Sequence, residues 1–264
     1  MKKDYRSDLN KLFKEKNYKK IEDYLLLNSN LPSPRANLEL AKEFSIFFDN
    51  KDIQEGFWDL LVNWIKIDES KLEDNSPLVY LIFLSLEAYG HIIVWLNKIE
   101  RIKYFKIYEE KMNSKLWRVR EACVIGLQDF WEKKYSDLIE YFNELYPKAN
   151  RYERRAIFAT LAHPQILIEK EVSDFALDIT DKELVEISNF SKDTLKIDST
   201  KTLMKSMEYV ISVFTVFNPH RWFEIMEKYL EEWNPIVVKI IKKNLEKNRL
   251  KRYEKEKEKL YRLI

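Results

Sequence analysis

Apolar residues recur at three- and four-residue spacing through nearly the whole chain, and any fold it adopts must bury that stripe. Leu9, Leu12 and Phe13 share one helical face, Ile21, Tyr24, Leu25 and Leu26 another, and Phe57, Leu60, Leu61, Trp64 and Ile65 a third. The breaks between periodic segments are short, at 28–34, 68–77, 146–150, 163–164, 218–220 and 234–235. Several are Asn-Pro or Ser-Pro pairs, in which proline is preset for the first turn of the next helix. The longest polar break, 188–200, reads as a loop between two lobes or a partly disordered insertion. No stretch alternates as a strand does, so the expected fold is all-α.

Composition removes whole classes of function. Only three of the 264 residues are glycine, so GxGxxG and Walker-type phosphate loops have nothing to be built from, and a turn-rich β fold is equally disfavoured. No HExxH, CxxC or GxSxG occurs, and His91, His163 and His220 stand far apart without a ligand or nucleophile spacing. No metal, cofactor or catalytic residue is therefore expected. The single cysteine, Cys123, lies in an apolar run and reads as a buried, inert thiol. The opening Met1-Lys2-Lys3-Asp4-Tyr5 leads into a charged helix without an apolar signal region, and the expected location is cytoplasmic.

Pro77 to Leu96 is apolar over a length that would cross a bilayer. Glu87 and His91 near its middle argue against a membrane span. Gly90 reads as a break, so the expectation is a pair of helices buried on most sides. Glu87 itself, a carboxylate in an apolar helix, stays open between an acid or base with a raised pKa and a group that is paired to a neighbouring helix or points to a groove.

The helices repeat. Sliding Arg101–Leu127 by 34 residues superposes Phe105 on Ile139, Tyr108 on Phe142, Ala122 on Ala156, Cys123 on Ile157 and Leu127 on Leu161, with Arg120 on Arg154. A shift of 118 carries Val119 to Val237, Ala122 to Ile240 and Leu127 to Leu245, though Arg120 meets Val238. Such phasing predicts antiparallel helical hairpins stacked in series. The expected organisation is one helical-repeat domain over 1–264, with an N-terminal lobe at 1–97, a C-terminal lobe at 98–250 and a charged helical tail at 251–264.

The segments 117–127 (WRVREACVIGL) and 153–161 (ERRAIFATL) resemble the second helix of a HEAT repeat. Residues 234–250 are similar to the closing repeat of bacterial and archaeal HEAT-like proteins, and 31–41 to their opening. The resemblance implies an α-solenoid, a HEAT/armadillo-like superhelix whose inner face holds an extended partner. The stretch 116–122 is also similar to the DNA alkylation repair glycosylases built on that fold. Their adjacent tryptophans followed by aspartates are missing, and Trp58-Asp59 with Trp64 come nearest.

Two basic features are candidate binding surfaces. Trp117, Arg120 and Glu121 share a helix side, with Arg154 and Arg155 at the matching place in the next hairpin. They read either as an inter-repeat ladder, each Arg bonding a carboxylate or helix C-terminus, or as a basic wall with an aromatic platform for phosphates. From Lys239 to Ile264 there are 11 basic and 4 acidic residues, a net of +7, which leaves 2 − 7 = −5 for residues 1–238. Lys239, Lys243, Lys247 and Lys251 recur every fourth residue, and on one helix they would form an oblique basic stripe drifting about 40° per step. That stripe reads as the polar outer face of a terminal repeat, as a phosphate site, or as a surface for an acidic protein or anionic membrane. The expected function is a non-catalytic scaffold or adaptor that binds a protein partner in its concave groove, with nucleic acid as the alternative ligand and no membrane partner.

Overall fold

Side-chain caps set many of the helix starts. Asn97 and Asn150 each accept from the amide three residues on, and Glu100 and Glu153 at that position reach back to the Asn amide. Pro77, Pro219 and Pro235 sit in first turns, where the missing amide hydrogen costs nothing. The structure, a computed structural model, describes residues 3–50 and 53–264; Met1 and Lys2 of the expected charged opening lie outside them. Among the described residues the chain is all helix and turn, with no strand.

The helices are α1 (Tyr5–Glu15), α2 (Tyr18–Leu27), α3 (Leu38–Ser45), α4 (Glu55–Ile65), α5 (Pro77–Ile92), α6 (Lys98–Met112), α7 (Trp117–Leu145), α8 (Arg151–Leu161), α9 (Lys170–Ser188), α10 (Asp198–Phe217), α11 (Pro219–Glu231), α12 (Pro235–Leu245) and α13 (Glu254–Tyr261). They form two compact units, Met1–Lys134 and Tyr135–Ile264. The join falls within α7, where Lys134 leaves helical geometry at φ −144°, ψ 50°. No Pro or Gly marks it. The expected lobe boundary at 97/98 lies inside the first unit, just ahead of α6.

In the first unit every residue of α5 from Val79 to Ile92 is buried. The stretch Pro77–Trp95 is long and apolar enough to cross a membrane by length and composition, and nearly all of it is buried within the protein. It forms one helix prolonged by a 3-10 turn, Ile93–Trp95, and not the expected pair. Gly90 does not break it, because the glycine serves a crossing. A Cβ built on Gly90 would lie 2.0 Å from the Gly126 carbonyl oxygen of α7, and one on Gly126 would lie 2.4 Å from that of Leu86. Tyr108 of α6 closes the crossing by donating its hydroxyl to the Leu86 carbonyl at 2.7 Å. On other sides α5 meets α2, α3 and α4, while α1 packs on α3 and α2 on α4. Trp58 of α4 and Tyr104 of α6 approach to 6.2 Å between ring centroids. Helices two apart in the chain thus lie side by side.

The second unit follows the same alternation. Helix α10 packs on α8 and on α12. Helices α9 and α11 are tied by Arg221–Asp174 at 2.7 Å and by the Tyr229 hydroxyl, which donates to Asp181 at 2.8 Å. Lys259 of α13 reaches Glu227 of α11 at 2.6 Å. The polar break 188–200 lies inside this unit, where it holds a 3-10 turn, Thr194–Lys196, and the first residues of α10. At the α10–α12 contact sits Asn244, wholly buried. Its Oδ1 accepts from the Ser212 amide at 2.8 Å, and its Nδ2 donates to the carbonyls of Met207 at 2.8 Å and Ile240 at 2.9 Å.

Several positions that the offsets align are buried together, though Phe105 is only partly buried where Ile139 is buried. Tyr108 and Phe142, Ala122 and Ala156, Cys123 and Ile157, and Leu127 and Leu161 are all buried, as are Val119 and Val237. The closest helix approach seen is the Gly90–Gly126 crossing.

That crossing yields a sign-reversed prediction. Replacing an exposed mid-helix glycine by alanine ordinarily gains about 1 kcal/mol. Gly90→Ala meets backbone that cannot rotate away, so it should instead cost about 1–3 kcal/mol or more by urea denaturation. Gly56→Ala meets the end of the Tyr18 side chain, 2.1 Å from the new Cβ. Tyr18 is only partly buried and can swing aside, so the loss there should be clearly smaller.

Candidate functional site

The residues expected to form a basic wall are engaged locally. Trp117 begins α7 with its ring half-exposed, and the Arg118 guanidinium stacks over it at 4.6 Å. Arg120 donates to the carbonyls of Ser114 at 2.5 Å and Lys115 at 3.1 Å, closing the turn after α6. Arg154, at the matching place in the second unit, pairs with Glu186 and lies 3.4 Å from Glu183, both on α9, with its guanidinium over the Tyr146 ring. Sequence reasoning passes over the more deeply buried Arg118. It donates to the carbonyls of Asp74 at 2.8 Å and Ser33 at 2.7 Å, and so pins two loops of the first unit. No local spacing announces it, because its partners lie on loops distant in the chain.

The lysine row does not form one stripe. Helix α12 ends at Leu245, and Lys247 is extended at φ −72°, ψ 135°. The cause is Leu250, which is wholly buried against α10 by a 3-10 turn, Asn248–Leu250. On a continuing helix, at 100° per residue, it would point about 140° away from Val237 and about 120° away from Asn244, off the face that α12 buries. The chain leaves the helix to bury it. Lys239 pairs with Glu208 at 3.2 Å and Lys243 with Glu246 at 2.9 Å. Lys251 is exposed beyond the 3-10 turn. Lys247 lies 5.8 Å from the Tyr209 ring, over which the Arg249 guanidinium stacks at 4.5 Å.

Glu87 stands in a buried polar group drawn from three helices of the first unit. Its Oε1 is 3.4 Å from the Ser45 hydroxyl, which in turn lies 3.3 Å from His91 Nε2. Asp129 of α7 approaches the same nitrogen at 3.5 Å, too far for a good hydrogen bond. Serine, histidine and aspartate are the members of a nucleophilic triad, but the arrangement is not one. A triad needs the carboxylate on Nδ1 so that Nε2 is left to take the serine proton. Here both oxygens face Nε2, Nδ1 finds no partner among the described residues, and Ser45 is sealed from solvent. Burial, helped by the nearby Asp129 charge, pushes the Glu87 carboxyl up to about 8, against smaller opposing effects of the Ser45 hydroxyl and the Lys42 charge on α3.

The folded protein therefore keeps the Glu87 proton to about pH 8, whereas the unfolded chain releases it near 4.5. Stability falls as pH rises between those values and levels off above. Glu87→Gln should flatten that slope and raise stability above pH 8, by on the order of a few kcal/mol. Urea midpoints at pH 5, 7 and 9 for the two proteins measure this. Parallel curves would mean that Glu87 is ionised throughout.

Glu183 of the second unit is also buried, and burial raises its pKa while Arg154 and the Tyr146 hydroxyl, donating at 2.9 Å, oppose the rise. Arg154→Met should cost about 1–3 kcal/mol at pH 8, by stranding a buried acceptor. The loss should shrink at pH 5, where Glu183 takes a proton more readily. Equal losses at both pH values would assign Arg154 a packing role alone.

In the first unit a cleft of about 640 Å³ opens beside Val62, Tyr89 and Ile107. Within it Lys111 bonds Glu69 at 2.6 Å and Ser114 donates to the same carboxylate. Among the described residues no three His, Cys, Asp or Glu side chains gather as a metal site. Sequence reasoning also passes over Lys201 and Lys205, which stand one turn apart and exposed on α10. They follow a polar stretch that reads as loop, so their helical spacing is hidden until α10 is seen to begin at Asp198. No family model, curated protein or solved structure matches the chain.

Proposed function

We propose that the chain is a non-catalytic helical-repeat scaffold, a HEAT- or armadillo-like α-solenoid, which binds a protein partner along the groove formed by one row of its helices. The observation that carries this reading is the alternation inside each unit. Helices two apart in the chain pack side by side, α1 on α3 and α3 on α5, then α8 on α10 and α10 on α12. A stack of hairpins produces that pattern, and its exposed helix row is the usual docking wall. The inward-turned chemistry of Ser45, Glu87 and His91 supports a binding rather than a catalytic use. The fully buried Cys123 thiol fits a reducing cytoplasm.

Nucleic acid is the second reading, favoured by the net +7 of residues 239–264 and by the Arg249–Tyr209 stack. Against it, Lys239 and Lys243 are already neutralised by Glu208 and Glu246. Affinity for a 16-base-pair duplex separates the two. On the protein-scaffold reading, duplex binding is weak at physiological salt and Lys243→Glu/Lys247→Glu/Lys251→Glu changes it little. Tight binding that falls steeply between 50 and 200 mM salt, about a thousandfold or more, and that disappears in the triple variant would establish the nucleic-acid reading instead.

A further inference from the structure

Lys201, Lys205 and Tyr209 recur every fourth residue along α10, a row about 12 Å long. All three are exposed. The lysines border a cleft of about 550 Å³ whose floor is Leu195, Met204, Pro235 and Ile236. Its other rim is the start of α12, where Lys239 pairs with Glu208. Neither Lys201 nor Lys205 pairs with a carboxylate among the described residues. They are two ammonium groups one helical turn apart above an apolar floor. Beyond them Arg249 donates to the Tyr209 hydroxyl at 2.6 Å, which extends the positive edge past the cleft.

These features ask two things of an occupant. The floor is covered favourably only by an apolar side chain, because burying apolar surface gains about 25 cal/mol per Å². The unpaired ammoniums call for anions about 6 Å apart, the distance between side chains four apart on a helix. Acidic residues at that spacing on a partner helix, or two apart on an extended strand, would meet both lysines at once. A phosphate backbone supplies the charge but leaves the floor uncovered.

We infer that the cleft between α10 and the start of α12 docks a segment of a partner protein in which acidic residues flank an apolar anchor. This rests on the protein-scaffold reading above and assigns its binding site. The anchor enters over Met204 and Ile236, and the carboxylates pair with Lys201 and Lys205.

The test is selection of a random 12-residue phage-displayed peptide library on the immobilised full-length chain. Enriched sequences are then synthesised and their binding followed by fluorescence anisotropy. Enriched peptides should carry two or more Asp or Glu around a Leu, Ile, Phe or Met. Their affinity should fall about tenfold or more for Lys201→Glu/Lys205→Glu. It should fall several-fold for Met204→Ser, weaken with added salt, and hold for Lys255→Glu/Lys257→Glu on α13. Lys201, Lys205 and Lys255 are exposed and Lys257 is only partly buried, so circular dichroism should show each variant folded. Enriched peptides that lack acidic residues, or that bind the Lys201→Glu/Lys205→Glu variant unchanged, would overturn the cleft assignment and leave the scaffold reading standing. Duplex DNA binding that depends on the same two lysines would overturn the occupant. If no peptide is enriched, both readings fall.

Discussion

The contact on which the first unit depends is backbone on backbone, where Gly90 of α5 lies against Gly126 of α7. Two helices approach this closely only where neither carries a side chain at the crossing. Everything around α5 is arranged to exploit that approach. Tyr108 takes up the Leu86 carbonyl at the crossing, and α3 and α4 cover the remaining faces. An apolar helix with no polar face must be wrapped completely, and close packing on one side makes room for wrapping on the others. The same absence of side chains explains why the chain, otherwise almost devoid of glycine, keeps two at one place.

The two units hold buried acid differently. Glu87 has no cation in contact, and its neighbour Asp129 shares its sign, so the group stays neutral by holding a proton. Glu183 is met by Arg154 and by a tyrosine hydroxyl, which favour the charged form against desolvation. The first arrangement ties stability to pH, and the second ties it to the arginine. Neither exposes a reactive oxygen to a substrate, and this is the physical ground for seeking function on the surface.

Helix content was written plainly in the amino-acid order, because three- and four-residue apolar spacing survives any arrangement of the helices. The 34- and 118-residue offsets were equally plain, and Ala122, Ala156 and Ile240, which they align, are all buried. Four features escaped such reasoning, the first two because a contact distant in the chain decides them and the others because no local signal marks them. Gly90 reads as a break until Gly126 is placed beside it. Helix α12 reads as continuing to Lys251 until Leu250 is seen to need a berth on α10. Lys134 interrupts α7 with no proline or glycine to announce it. Lys201 and Lys205 become a pair only when α10 is known to start at Asp198.

Asn244 carries a consequence for ancestry. Its amide offers one acceptor and two donors at a reach that suits the α10–α12 contact. Aspartate would bring no donor, and leucine no polar atom at all. Glutamine would overshoot by a methylene. Each of these changes leaves the Ser212 amide or the Met207 carbonyl poorly met inside the core, so the asparagine should persist in descendants whose surfaces have diverged.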